Sequence, residues 1–156
     1  MKSKMCPHPN ADTSFQYPND RLFHLKGFVK EEELHQPITV GENDRLCLVV
    51  IKNGPTTGLT IGRAVGIGSF TRRSLQDIDE EFTSMELAIY SCDKECAFSD
   101  PGDSGSIVAD AKGHVVGLLT SGSGSPKAST DVSYATPFDW ILNERIKKHF
   151  PTACLY

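Results

Sequence analysis

The sequence predicts an all-β fold, an antiparallel barrel or sandwich, with one helix at its C-terminal end. Six short apolar segments separated by turn residues fill the middle of the chain, and a single segment with helical spacing follows them. A length of 156 residues suits one domain with a core of its own. Hydrophobic residues at 38% and charged residues at 23% exclude a disordered or fibrous chain. Lys and Arg number 16 against 20 Asp and Glu, a net charge of −4, which argues against nucleic acid or an anionic membrane as partner. No apolar run approaches the roughly 18 residues of a membrane helix.

Residues 1–44 read as a polar N-terminal extension. Pro7, Pro9, Pro18 and Pro37 are scattered through it, and only Leu22-Phe23-His24-Leu25 and Phe28-Val29 offer apolar anchors, so it is expected to be loosely ordered. Its first residues carry Lys2 and Lys4 but no apolar stretch behind them, so they do not read as a signal peptide, and a cytoplasmic setting is favoured. Glu31-Glu32-Glu33 is most simply a solvated face.

Residues 45–150 form the expected domain. Leu46-Cys47-Leu48-Val49-Val50-Ile51 is an apolar run ending at Lys52-Asn53-Gly54-Pro55, a strand and then a turn. Gly58 to Ile67 alternates apolar with small or polar residues, a strand softened by glycine. A charged loop follows over Arg72–Glu81, with Asp77, Asp79 and Glu80 inside it. Four more short strands are expected at 85–90, 106–109, 115–119 and 132–135.

The helix is expected near 137–149. Thr136 can cap it, Pro137 suits its first position, and Asp139 lies in the first turn where the helix dipole favours an anion. Phe138, Leu142, Ile146 and Phe150, with Ile141 beside them, make one apolar stripe. Lys147, Lys148 and His149 complement the C-terminal end, and Pro151 stops the helix, leaving 151–156 as a tail.

Five cysteines (Cys6, Cys47, Cys92, Cys96, Cys154) are an odd count at irregular spacing, so reduced thiols are expected rather than a disulfide framework. Cys92 and Cys96 are four apart without a matching Cys or His pair, and no metal site or cofactor is expected.

The stretch that carries chemistry is Asp100-Pro101-Gly102-Asp103-Ser104-Gly105-Ser106, between two expected strands. A serine hydroxyl is a weak nucleophile and needs a sharp loop to present it. Flanking glycines allow that loop and the close approach of a substrate backbone. The amides of Gly102 and Ser104 would converge on one point and stabilise an oxyanion there.

Gly102-Asp103-Ser104-Gly105 resembles the nucleophile loop of the chymotrypsin-like serine proteases. Downstream, Val115 to Gly124 resembles the strand that follows the nucleophile in secreted bacterial members of the streptogrisin and alpha-lytic protease type. Upstream, Val50 to Gly58 resembles the hairpin that opens their second barrel, and Asp131 to Pro137 their last strand before the C-terminal helix. The resemblance covers residues 46–150 and implies a six-stranded antiparallel Greek-key barrel, one half of a double barrel. It also implies a hydrolase, a serine endopeptidase acting on a peptide or protein. Ser104 would be the nucleophile, with the amides of Gly102 and Ser104 as the oxyanion hole. Asp103 would be buried against a cation, which the match places at Lys52, where the bacterial relatives carry arginine. Phe98 would floor an apolar specificity pocket, and Thr120, Ser121 and Gly122 would form the wall that pairs with substrate.

Several positions depart from the family. A cysteine pair in the opening hairpin is replaced by Ile51 and Ile61, implying an apolar cross-strand contact, and Ser106 stands where the motif usually continues with glycine. The barrel that would supply the histidine base and its aspartate has no counterpart, since the 45 residues before Leu46 are too few for it. Of five histidines, His8, His24, His35, His114 and His149, none sits in the family's context for the base, and His35 with Asp44 are the least poor internal candidates. Two readings follow: a serine endopeptidase-like domain that is inactive alone and needs a first barrel from another segment or chain, or a non-catalytic binding or structural module, a pseudoenzyme.

Overall fold

The computed structural model describes residues 19, 22–37, 39–40, 46–74, 81–93, 96–124 and 131–155. Asp44, His8, Cys6 and the charged residues Asp77, Asp79 and Glu80 lie outside them. In chain order the elements are α1 (Glu31–His35), β1 (Thr39–Val40), β2 (Leu46–Gly54), β3 (Gly58–Ser74), β4 (Glu81–Ser91), β5 (Ile107–Asp110), β6 (Val115–Ser123) and β7 (Val132–Pro137). A C-terminal helix follows as α2 (Phe138–Trp140), a π-wound stretch (Ile141–Ile146) and α3 (Lys147–His149).

The strands follow the order β1-β2-β3-β4-β7-β6-β5, and β5 also bonds to β2. Strands β2 to β7 therefore close into a six-stranded barrel, with every neighbouring pair antiparallel. It consists of two meanders, β2-β3-β4 and β5-β6-β7. The connection between them runs from the end of β4 to a β5 that lies on the far side of β2. The short β1 extends the edge of β2, pairing Thr39 with Cys47.

Every expected strand is present, and most run longer than their apolar residues indicate. The hairpin of β3 and β4 extends through Arg72 and Arg73 opposite Thr83 and Phe82, so the charged segment is strand at both ends. Backbone pairing carries a strand past the point where burial stops selecting apolar side chains.

The unbroken apolar run of β2 has a direct cause: both of its faces are buried. Val50 points into the barrel with Ala64, Leu87, Ile89, Val108, Val116, Leu119 and Ala135, all nearly inaccessible. Cys47, Val49 and Ile51 point outward and are covered together with Ala109, Phe23 and Ile61. Ile51 and Ile61 are direct register partners, so the apolar contact implied across the opening hairpin is made.

The segment before the barrel contributes to that core. Val29 and Leu34 are buried within the main cluster. The backbone of 26–29 runs beside the start of β6, where the Val29 amide donates to the Val115 carbonyl (2.9 Å) and the Val115 amide to Gly27 (3.1 Å). In α1, Glu32 and Glu33 face solvent while Leu34 turns inward. The C-terminal end of α1 lies against a bulge of β3, where Val65 to Ile67 stand opposite Ala88 alone, and His35 Nδ1 bonds to the Gly66 carbonyl at 2.9 Å.

The C-terminal helix corrects the expected cap. Thr136 belongs to β7, and its hydroxyl donates to the buried Glu86 carboxylate (2.8 Å) instead of capping the helix. Pro137 occupies the cap position without any side-chain cap bond. Asp139 lies in the first turn as expected, accepts from the Asn143 side chain of its own helix, and also accepts the Glu31 amide at the start of α1 (3.0 Å). The apolar stripe faces inward at Phe138, Leu142 and Ile146, with Phe138 against the Phe28 ring at 5.9 Å between centroids. A π-wound stretch takes more residues per turn than the about 3.6 of an α-helix, which keeps a four-residue spacing in line. Phe150 leaves the stripe because the helix ends at His149, and it is exposed.

If α1 is part of the core, Leu34→Ala destabilises the whole barrel by about 2–5 kcal/mol, as truncation of a buried leucine does. Urea unfolding followed by circular dichroism measures it, and an unchanged midpoint would show that α1 packs independently of the barrel.

Candidate active site

Because β4 and β5 are not neighbours, residues 92–106 must cross between them, and the motif singled out in the sequence lies in this crossing. Two consecutive turns shape it, closed by the Asp103 amide on the Asp100 carbonyl (3.0 Å) and the Ser106 amide on the Asp103 carbonyl (3.1 Å). Gly102 has a φ of 105°, a conformation that L side chains rarely adopt, and a Cβ there would also collide with the Thr56 hydroxyl. Beyond the turns the loop is sewn to β6: Gly105 donates to Leu119 (2.7 Å) and Leu119 to Ser106 (3.0 Å). Ser104 is left exposed at the crest.

Asp103 points the other way, into the barrel, with no accessible surface. Its Oδ2 accepts from the Lys52 ammonium (3.0 Å), the Thr57 hydroxyl (2.6 Å) and the Asp100 amide (3.2 Å). Its Oδ1 accepts from the amides of Thr56 (2.8 Å) and Thr57 (3.3 Å). The pairing expected between Lys52 and Asp103 is thus present, and both side chains are fully buried. Lys52 reaches this point because it alternates inward with Val50 on β2, next to Thr60 on one side and Val108 on the other. Its ammonium also donates to the Gly58 carbonyl (3.1 Å) and to the Thr57 hydroxyl, so all three protons have acceptors.

Burial alone would raise the Asp103 pKa. The Thr57 hydroxyl, the Lys52 ammonium and the amides of Thr56 and Asp100 outweigh it and hold the carboxyl well below the usual carboxylate range. Gly54, at the end of β2, is required by the same group, since a Cβ there would run into the Asp103 carboxylate.

Thr56 and Thr57 were not singled out in the sequence. Thr57 both donates to Asp103 and accepts from Lys52, and the Thr56 hydroxyl donates to the Pro101 carbonyl (3.0 Å). In the sequence they are ordinary turn residues. Only the 46 or so residues of separation closed by the fold give them a role.

At the crest, the amides of Gly102 and Ser104 donate to no acceptor among the described residues. The Ser104 hydroxyl donates to the Thr120 carbonyl at 3.3 Å. Thr120 is the extra residue of β6 between the pairings Leu119–Ala135 and Ser121–Tyr134. No strand pairs with β6 on the β5 side beyond Leu118 among the described residues, so Thr120, Ser121 and Gly122 form an edge beside Ser104.

Phe98 has no accessible surface and belongs to the main core. Its ring lies 5.9 Å from the Lys52 ammonium and fills the space above Gly62, its carbonyl accepts from Thr60 (2.7 Å), and its amide donates to Asp131 (3.3 Å). Phe98 therefore supports the site from beneath without offering a surface to it.

No histidine bonds to Ser104 among the described residues. His35 is engaged with Gly66, and His114 with Asp110 (2.9 Å) in the β5–β6 turn. Nor does any group of three His, Cys, Asp or Glu side chains suitable for a metal occur among the described residues. No described helix is long and apolar enough to cross a membrane.

The chain is thus a closed antiparallel β-barrel that presents a serine on a doubly turned loop, anchored through a buried ion pair. No protein-family model and no curated protein matches it. Among solved structures, a Cellulomonas bogoriensis chymotrypsin is similar at a TM-score of 0.47 and 22% identity, over 62% of this chain and 46% of that one. The chain thus spans less than half the length of that protein.

Removing the Lys52 charge leaves a buried carboxylate without its counter-ion, a change that costs about 3–5 kcal/mol. Lys52→Met is therefore expected to lower the urea midpoint sharply, and a parent-like midpoint would mean that the ammonium is not needed to hold Asp103.

Acid should separate Asp103 from other carboxylates. Folding lowers its pKa, so its stabilisation is complete above the unfolded value of about 3.9 and is lost as pH falls below that. Parent and Asp103→Asn proteins are expected to differ in stability by a constant amount from pH 7 down to about 5, and to converge below about 4. A gap that does not narrow in acid would contradict the charged carboxylate.

Proposed function

We propose that this chain is a serine endopeptidase-like barrel of the chymotrypsin type, carrying a nucleophile loop and an oxyanion hole but needing its general base from elsewhere. One observation carries the reading: Ser104 is exposed on a loop whose neighbouring residue is clamped in the core, while the amides of Gly102 and Ser104 point to no internal acceptor. In this reading Ser104 attacks a peptide carbonyl and the two amides stabilise the oxyanion that develops. The β6 edge from Thr120 to Gly122 supplies the hydrogen-bonding wall for an extended peptide. Lys52, Asp103 and Thr57 hold the loop and take no part in proton transfer.

The same site accounts for silence. A backbone carbonyl, the partner of the Ser104 hydroxyl, cannot take its proton, so the serine remains a weak nucleophile. A histidine-bearing first barrel, from another segment of a longer protein or from a second chain, would complete it. That hydrogen bond also favours the second reading, in which the loop binds a peptide or protein without cleaving it.

A fluorophosphonate probe distinguishes these outcomes, because it reacts with base-activated serines. The chain alone is expected to label roughly 10²–10⁴-fold more slowly than a base-activated serine hydrolase, the share that general-base catalysis contributes. Rapid labelling that vanishes in Ser104→Ala would overturn the silent reading, and its loss in His35→Ala as well would place the base inside this chain. Labelling that appears only on adding a separately produced histidine-bearing barrel would establish the split enzyme.

A further inference from the structure

Asn53 is the only asparagine in the sequence with glycine after it. It is exposed near the end of β2, and its carboxamide makes no hydrogen bond among the described residues. It pairs with Leu59, next to the Gly54–Gly58 pairing that ends the hairpin ladder. Before it stands Lys52, whose ammonium meets Asp103 at 3.0 Å. After it come Thr56 and Thr57, whose amides donate to the same carboxylate at 2.8 and 3.3 Å. Gly54 has no side chain because a Cβ would run into Asp103. The clamp under Ser104 thus requires, beside an exposed asparagine, the residue type whose backbone nitrogen is least shielded.

We propose that Asn53-Gly54 is a self-modification site, and that its conversion to isoaspartate is a one-way release of the Asp103 clamp. The Gly54 nitrogen attacks Cγ of the Asn53 carboxamide. A C–N bond forms, the nitrogen gives up its proton, and ammonia leaves, closing a five-membered imide. Water then opens the ring. Addition at the backbone carbonyl breaks its bond to Gly54, so the chain continues through the side-chain carbon as isoaspartate; addition at the other carbonyl gives aspartate. One water is consumed and one ammonia released, with no change of oxidation state. Ring closure requires the Asn53 backbone to rotate out of the extended geometry it holds in β2. The ladder to Leu59 and Gly58 opposes that rotation, and so do the bonds from Thr56 and Thr57 to Asp103. Conversion is therefore slow while the clamp is closed and fast once the hairpin tip opens. Isoaspartate lengthens the backbone by one carbon between Lys52 and Thr56. The tip can then no longer bring both amides to Asp103 while Lys52 keeps its place on β2. A loop whose anchor opens loses that anchor for good, so the lifetime of the presented Ser104 is set by its own support.

The experiment incubates the full chain in mildly alkaline buffer, maps isoaspartate by mass spectrometry, and measures hydrogen exchange on the same samples. A synthetic peptide of residues 49–58, which has no Asp103 to close on, gives the unrestrained rate. Asn53 of the parent is expected to convert roughly tenfold more slowly than the peptide. In Thr57→Val, shown to be folded by circular dichroism, most of that protection should vanish. Thr56→Val, which removes the hydroxyl bonded to Pro101, takes its place if Thr57→Val does not fold. Converted molecules should exchange amides across 100–106 roughly tenfold faster, and Asn53→Gln should show neither change. An Asn53 that stays intact while the peptide converts completely would overturn the site. Equal rates in the parent and the folded threonine variant would overturn control by the clamp, and isoaspartate with unchanged exchange would overturn the release. None of these readouts depends on Ser104 acting as a nucleophile, so failure here and failure of the protease reading remain separate results.

Discussion

A carboxylate with no contact with water has to be surrounded by donors, and Asp103 draws those donors from three separate parts of the chain. Lys52 comes from the end of β2, Thr56 and Thr57 from the hairpin tip, and the Asp100 amide from the crossing itself. Meeting this one demand brings the hairpin and the loop together within a few ångströms, and it explains the absence of side chains at Gly54 and Gly102, where the packing is closest. The pair contributes geometry more than net stability: a buried ion pair roughly repays its own desolvation, whereas a half-satisfied one is strongly destabilising. The loop is therefore held in one arrangement by the cost of every other.

The barrel makes this arrangement possible. Closure of β2 on β5 places Val108 beside Lys52, and β5 emerges directly from the loop, so the counter-ion and the aspartate are delivered to the same end of the barrel. The remaining parts protect that closure. Residues 22–29 cover the outer face of β2 and run along β6, α1 buries Leu34 beside the β3 bulge, and Asp139 of the C-terminal helix caps α1. Two chain ends that look unrelated in sequence thus meet and hold each other over the barrel.

At the crest the forces are reversed. The residues flanking Ser104 are fixed by turns and by β6, while the serine and its neighbouring amides face outward. The lysine ammonium offers the carboxylate one point charge. The Thr57 hydroxyl, lying between ammonium and carboxylate, supplies an additional contact. The serine is thus held on a fixed loop with its hydroxyl engaged by a backbone carbonyl.

Much of this was legible in the sequence. Alternation and turn residues located all six barrel strands, the run Gly102-Asp103-Ser104-Gly105 marked the loop, and the resemblance carried by the opening hairpin paired Lys52 with Asp103. These readings succeed because strand periodicity and turn chemistry are local properties of a few adjacent residues. What the sequence could not contain is anything set by contacts between distant residues. Thr57 reads as a turn residue until Asp103, far along the chain, arrives beside it. Thr136 reads as a helix cap until the buried Glu86 claims its hydroxyl, and nothing local shows that Asp139, in the first turn of its own helix, also accepts an amide from α1. For Thr136 the hydroxyl has two possible partners, one local and one distant, and burial decides for the distant one because an unsatisfied group in the core costs more than an exposed helix end.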